Sequence, residues 1–285
     1  MTDLRGKPVA EHIVERAKAD IAKLKEQGIN PKLAVIRVGA RPDDLAYERG
    51  ILKRFGDAGC DYQVYELNGD CTQEELNDQF DKCNKDDSIH GILMFRPLPK
   101  NLSDEYIRNN INPRKDIDAM GLINQAALFA GDKRAFAPCT AQAVIEILRH
   151  YNVSLRGKKV TVVGRSLVIG KPVSLLLIAE DATVTVCHTK TKDLKAELLR
   201  ADIIVAAAGK ASIIKAEHVH EGQVIIDVGM DTDDEGKLCG DVDYANVAPI
   251  VDSITPVPGG VGAVTTSVLL KYTVASAQRF ADGEV

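Results

Sequence analysis

Three glycines within four positions close the run Ile254-Thr255-Pro256-Val257-Pro258-Gly259-Gly260-Val261-Gly262. Two prolines fix φ and the glycines then free it, so a stiff arm leads into a permissive loop. A loop nearly bare of side chains lets backbone N–H groups approach a flat or phosphorylated ligand. The bland alternative is a Gly/Pro-rich turn. A strand-like pattern before the run and a helix-like one after it favour a ligand-facing loop.

A second stretch suited to binding chemistry is Gly164-Arg165-Ser166-Leu167-Val168-Ile169-Gly170, between an apparent strand and helix. A phosphate-binding turn belongs at that junction, because the first N–H groups of the helix are unpaired there. The pattern departs from G-x-G-x-x-G: Ser166 holds the second glycine's place and the last glycine comes one residue late. Gly164, Arg165, Ser166, Ile169 and Gly170 are the expected nucleotide contacts, with the Ser166 hydroxyl offered to a phosphate. NAD-specific turns place an acid roughly 20 residues further on, at the end of the next strand. Here that place reads Cys187-His188-Thr189-Lys190, without an acid. Arg165, Thr189 and Lys190 suit a 2′-phosphate through charge-assisted bonds, so NADP is expected, with NAD as the alternative. His188 belongs to the same segment.

These loops need elements to hold them. The apolar spacing Val9, Ile13, Ala17, Ile21, Leu24 predicts a helix beginning near Pro8 and ending at Gly28. Lys32–Val38 reads as a buried strand, 43–59 as a helix, Tyr62–Leu67 as a strand. Thr72-x-x-Glu75 is a capping box opening another helix, and 89–95 is a second buried strand. A helix over 140–151 leads into strands Lys159–Val163, Thr183–Cys187, 203–207 and 224–228, with a helix over 171–180 and a last one near 266–280. Alternating helices and strands mean parallel sheets, and the second succession is a doubly wound nucleotide-binding unit.

Composition sets limits. The 285 residues suffice for two domains, 45% are hydrophobic and 27% charged, and the net charge is −5. That balance opposes a nucleic-acid or membrane-surface role. No apolar run approaches the roughly 18–20 residues of a membrane span, and the first residues lack a signal-peptide plan. Six scattered cysteines without a C-x-x-C pair suit reduced thiols in the cytoplasm rather than disulfides or zinc. His218-x-His220 lacks further metal ligands. Asp231, Asp233, Asp234 and Glu235 read as a solvated acidic turn rather than a calcium site, so no metal is expected.

Several segments, in order, resemble one family: the methylenetetrahydrofolate dehydrogenase/cyclohydrolases. They are Gly91-Ile92-Leu93 with Pro97-Leu98-Pro99, Lys115-Asp116-Ile117-Asp118, Pro138-Cys139-Thr140, Gly164-Arg165-Ser166, Val228-Gly229, Gly240-Asp241-Val242, and the run ending at Gly262. The resemblance implies an α/β fold of two α/β domains flanking a cleft, the C-terminal one a Rossmann-type doubly wound parallel sheet. It implies a folate domain over 1–140 with the last helix over 266–285, a nucleotide domain over 141–265, and a homodimer. It implies NAD(P)⁺-dependent oxidation of 5,10-methylene-tetrahydrofolate to the 5,10-methenyl form, then hydrolysis to 10-formyl-tetrahydrofolate. Tyr47 and Asp118 carry over as catalytic and substrate-binding residues. Phe95, Arg96, Pro258, Gly259 and Gly260 carry over as substrate-side residues, and Gly262 to the cofactor.

The folate side departs from the family pattern. In Y-V-x-x-K this chain reads Tyr47-Glu48-Arg49-Gly50-Ile51, so Ile51 stands where the cyclohydrolase lysine belongs. Lys53 lies about 200° further around a helix and is no substitute. Phe95 and Arg96 replace Gln and Leu of VQLPLP. Asp44 stands for a Ser, Ala119 for the Gly of KDVDG, and Ala263-Val264 for Pro-Met. Arg96 reads either as a replacement charge or as a solvated strand end. Hydride transfer needs positioning, whereas hydrolysis needs water activated and protons moved. The expectation is a dehydrogenase with weak or absent cyclohydrolase activity. The alternatives are a site rebuilt for a modified folate or other cyclic amine, and a non-catalytic NADP- or folate-binding regulator.

Overall fold

The computed structural model describes residues 2–232 and 236–283. The chain runs β1 (Thr2–Asp3), α1 (Gly6–Glu26), β2 (Lys32–Val38), α2 (Pro42–Ala58), β3 (Asp61–Leu67), α3 (Gln73–Lys85) and β4 (Gly91–Met94). Then come α4 (Glu105–Asn110), α5 (Leu122–Phe129), α6 (Cys139–His150), β5 (Lys159–Val163), α7 (Gly170–Ala179), β6 (Thr183–Cys187) and α8 (Leu194–Leu199). β7 (Ile203–Ala206), β8 (Val224–Asp227), β9 (Asp231–Thr232), β10 (Leu238–Cys239), α9 (Tyr244–Val247), β11 (Ser253–Ile254) and α10 (Thr265–Ala281) complete it. Two compact units result: Glu11–Cys139 with Thr266–Val285, and Met1–Ala10 with Thr140–Thr265.

The first unit holds a three-stranded parallel sheet in the order β3-β2-β4. Side chains alternate across a strand, so β2 feeds two faces. Ala34, Ile36 and Val38 join Leu76, Phe80 and Cys83 of α3 and Ile92 and Met94 of β4 in one apolar core. Leu33, Val35 and Arg37 point the other way, and Arg37 meets Glu48 there, so α2 covers that face. The ends of α2 and α3 follow local chemistry. Pro42 opens α2 and Gly59, at φ 71°, closes it in the left-handed conformation. Thr72 and Glu75 form the reciprocal capping box of α3. The strand expected over 89–95 is shorter: His90 N–H bonds Lys32 O and Phe95 N–H bonds Ile36 O outside the Gly91–Met94 ladder.

The second unit is a six-stranded sheet in the order β1-β11-β8-β7-β5-β6, parallel throughout. Strand order reverses between β5 and β7, which is the topological switch point of a doubly wound sheet. Its core gathers Val163, Ile204, Ala206, Ile225, Val247 and Ile254, all buried. By contact, the first ten residues group with this unit, whereas the expected boundary runs the folate domain from residue 1. The reason is pairing: Thr2 and Asp3 lie opposite Ser253 and Ile254 on the edge of the large sheet. β9 and β10 form a small antiparallel ladder beside it. Asp233, Asp234 and Glu235 of the acidic turn lie outside the described residues.

Candidate active-site residues

In the six-stranded unit, Gly164 leaves β5 at the switch point with φ 127°, and a Cβ there would come within 2.0 Å of Ala207 O. A Cβ on Gly170 would meet Gly164 O at 2.3 Å. The turn is therefore closed so tightly that neither position admits a side chain, and the N-terminus of α7 opens beside it. The cradle fits a phosphate-bearing nucleotide. Ser166 Oγ accepts Ile169 N–H at 3.1 Å and Gly170 N–H at 3.4 Å. It caps the helix, and only its hydroxyl proton remains to donate to a ligand. Arg165, Thr189 and Lys190 are exposed. Val163 lies opposite Cys187 in register, so these two cations and the threonine sit in neighbouring loops at one sheet edge. His188 folds the second loop: its Nδ1 accepts Lys190 N–H and its own N–H bonds Thr191 Oγ1.

Two buried aspartates, which sequence reasoning missed, pin the loops at the same edge. Asp241 accepts the N–H groups of Ala208, Gly209 and Lys210. Asp227 accepts those of Gly229, Asp241 and Val242 at 2.9–3.1 Å. Burial pushes the Asp227 carboxyl up to about 6; the three N–H donors pull the other way. Thr255 Oγ1 accepts Asp227 N–H at 2.7 Å, which ties the proline-glycine run to β8. Further along that run, Gly6 N–H bonds Gly259 O at 2.8 Å, and Gly259 has φ 102°. Gly260 is buried against Pro256 O, and a Cβ there would approach to 2.5 Å. A Cβ on Gly262 would meet nothing within 4 Å, so the fold does not require that glycine. Pro258 and Gly262 are exposed. The recurring acid in G-D-V was the available signal for Asp241.

In the three-stranded unit, Tyr47 of α2 is 39% exposed and its ring lies 5.7 Å from that of Phe95, which is buried. Asp118 accepts Cys139 N–H at 3.0 Å, and Arg96 stands 3.8 Å from its Oδ2. Burial pushes the Asp118 carboxyl up, while the Cys139 N–H and Arg96 pull it down. Arg96 also lies 3.8 Å from Asp104, so it bridges two carboxylates rather than facing solvent alone. Asp44 is held by Arg41 through two 2.8 Å bonds. Ile51 is fully buried, and Lys53 points outward to Asp57 at 2.6 Å. Ala119 has φ 50°, the left-handed region where the family pattern has glycine. Asp116 is structural: it accepts Met120 N–H, Gly121 N–H and Asn124 Nδ2. Among the described residues, no three His, Cys, Asp or Glu side chains gather as a metal site.

A doubly wound parallel sheet with a glycine-closed turn at its switch point defines a dinucleotide-binding protein of the Rossmann class. The tetrahydrofolate dehydrogenase/cyclohydrolase NAD(P)-binding domain matches residues 138–281, and the catalytic domain of the same name matches residues 4–118. Bifunctional protein FolD of Clostridioides difficile is 53% identical over 95% of this chain and 94% of its own. The crystal structure of the bifunctional FolD enzyme from Campylobacter jejuni is 40% identical, with a TM-score of 0.95, covering 98% of this chain and 99% of that one. The Trypanosoma brucei enzyme, solved with NADP cofactor and an inhibitor, is 35% identical with a TM-score of 0.92, over 99% and 98% of the chains. The chain belongs to the tetrahydrofolate dehydrogenase/cyclohydrolase (FolD) family.

Proposed function

We propose that this protein oxidises 5,10-methylene-tetrahydrofolate to the 5,10-methenyl form with NADP⁺ and hydrolyses the product weakly or not at all. Family membership supports the dehydrogenase half. The state of position 51 carries the other half: Ile51 is fully buried in place of the family lysine.

Bound NADP⁺ supplies the hydride acceptor. Gly164, Gly170 and the N–H groups opening α7 would hold its pyrophosphate, with Arg165, Thr189 and Lys190 toward the 2′-phosphate and Gly262 left bare for close approach. Tyr47 would lie along the folate, packed on Phe95. Asp118, oriented by Cys139 N–H, would hydrogen-bond the pterin ring. Pro258, Gly259 and Gly260 would shape the loop against the substrate. Hydride transfer asks these groups for positioning alone.

Hydrolysis asks for a proton acceptor or donor near neutral pH. Lys53 is paired to Asp57, and both Arg37 and Arg96 are arginines facing carboxylates. Guanidinium groups stay protonated and do not serve as bases. The buried Arg37 is held further in the charged state: burial alone would lower its pKa, but Glu48 and Glu66 raise it.

A second reading draws on the Arg41–Asp44 and Arg96–Asp104 pairs: the folate side is rebuilt for a modified folate or other cyclic amine. Among the described residues, no helix is long and apolar enough to cross a membrane. A cytoplasmic homodimer acting on small molecules, without nucleic acid, completes the proposal. The test uses purified protein with methylene-tetrahydrofolate and NADP⁺ or NAD⁺ in parallel, then methenyl-tetrahydrofolate alone. Reduction of NADP⁺ by methylene-tetrahydrofolate and methenyl decay at the buffer rate support the first reading. Decay well above buffer overturns the cyclohydrolase half. No turnover of methylene-tetrahydrofolate overturns the first reading; turnover of a modified folate then favours the second, and NADP binding without turnover on a folate panel favours a non-catalytic regulator.

A further inference from the structure

Arg37 is the one charged residue of β2 with its side chain sealed from water; its side chain is 4% exposed. A guanidinium in that position is costly unless its donors are met. Nε donates to Glu48 Oε2 at 2.8 Å, Nη2 pairs with Glu66 at 3.0 Å, and Nη1 donates to Gly39 O. These partners lie on three elements packed around the strand end. Gly39 begins the loop into α2, Glu48 lies within α2, and Glu66 is on β3. Glu48 is 12% exposed, so the Arg37–Glu48 contact is desolvated, whereas Glu66 is 62% exposed and free to turn outward.

Glu48 occupies the second position of the Y-V-x-x-K pattern, where an apolar residue is expected, and Ile51 occupies the fifth. The two departures make one exchange. The helix loses its inward cation at 51 and gains an inward anion at 48, met by a cation from the strand below. β4 runs in register beside β2, with Leu93 opposite Val35, so Phe95 emerges on the same face as Arg37. Tyr47, the neighbour of Glu48, packs on Phe95 there. The charged bond thus adds to the buried Ile51 and Phe55 in setting the rotation of α2 at the turn that carries Tyr47.

We propose that Arg37 is a positioning residue of the dehydrogenase reaction, holding Tyr47 in place through its bond to Glu48. The proposal rests on the functional reading above. It also explains why the arginine supplies no proton chemistry: its three nitrogens already donate to protein acceptors.

The test compares wild type, Arg37→Leu, Glu48→Val, the double variant and Arg37→Lys. Arg37→Leu strands the desolvated Glu48, Glu48→Val leaves the buried Arg37 with the exposed Glu66 and Gly39 O, and each lowers Tm by roughly 10 °C. The double variant removes both charges and melts close to wild type, yet its KM for methylene-tetrahydrofolate rises on the order of tenfold, with kcat and the KM for NADP⁺ little changed. Arg37→Lys keeps the charge but not the fork and falls between wild type and the double variant. A double variant with wild-type Tm and wild-type folate KM overturns the proposal. So does a loss of kcat and of affinity for both substrates that merely tracks Tm, since that is a structural role. Wild type that fails to turn over methylene-tetrahydrofolate overturns the functional reading itself, an outcome distinct from either.

Discussion

The loops of the nucleotide unit and the α2 face of the three-stranded unit are fixed by opposite means. Around the nucleotide turn, short side chains collect backbone donors: Asp241 takes three N–H groups, Asp227 takes three, and Ser166 caps α7 with two. On the α2 face, long side chains pair with each other across elements, as in Arg37–Glu48 and Arg96–Asp118. Main-chain donors are present whatever the residue, so the first arrangement depends on a few acids and glycines. The second depends on matched partners, each of which can be exchanged only with its mate. Asp44, Glu48, Ile51, Phe95 and Arg96 depart from the family pattern on the side built from matched partners, whereas Ala263 and Val264 depart within the nucleotide unit.

Gly164→Ala offers the severest test of the main-chain side. The added methyl would collide with Ala207 O and sit at φ 127°, so stability falls by roughly 3 kcal/mol or more. The rise in Tm that NADP⁺ gives wild type disappears. A variant that still gains stability from NADP⁺ would show the turn to be looser than its geometry.

Ile51→Lys probes the partner-matched side with an effect of similar sign. A lysine in a fully buried position costs roughly 3 kcal/mol, read by urea unfolding at neutral pH. If the variant unfolds like wild type, position 51 has an outlet to water and the face has not been repacked around an apolar residue.

Asp227→Asn isolates one titration. The folded carboxyl is raised from 3.8 to about 6, so its favourable contribution is complete below pH 4 and is lost as pH rises through 6. The stability of the variant relative to wild type therefore climbs between pH 4 and 7, by roughly 2–3 kcal/mol. A difference independent of pH would mean that the carboxyl ionises normally, and that its three N–H donors just offset its burial. The smallest effect belongs to Ala119→Gly, which relieves a left-handed alanine and stabilises by about 1 kcal/mol or less in thermal unfolding. Destabilisation there would show the buried methyl contributing more packing than the backbone strain costs.

Much of the frame was legible before any coordinates. Lys32–Val38, Lys159–Val163 and Thr183–Cys187 stand where their apolar, β-branched runs put them, and Thr72 with Glu75 caps α3 as its spacing requires. The strands near 203 and 224 and the helix over 171–180 came within a residue or so of their observed ends. Lys53 does point away from Ile51's side of α2. The place of Thr2 and Asp3 was not legible: their partners lie some 250 residues away, and two residues carry no periodicity. The bonds of Ser166 to Ile169 and Gly170 were equally hidden, because they exist only once α7 has formed.

The sequence by itself determined the family, the alternation of helices and strands, the glycine turn and the loss of the lysine at 51. Periodicity, capping and motif spacing act over a few residues, and a chain displays them in one dimension. Tertiary structure alone decided that Arg37 is buried on Glu48, that Asp227 and Asp241 hold the nucleotide-side loops, and that β1 closes the large sheet. A charge inside an apolar strand has no readable purpose until its partner is known. Its partner is chosen by packing, because only a desolvated surface makes the pairing of two distant side chains obligatory.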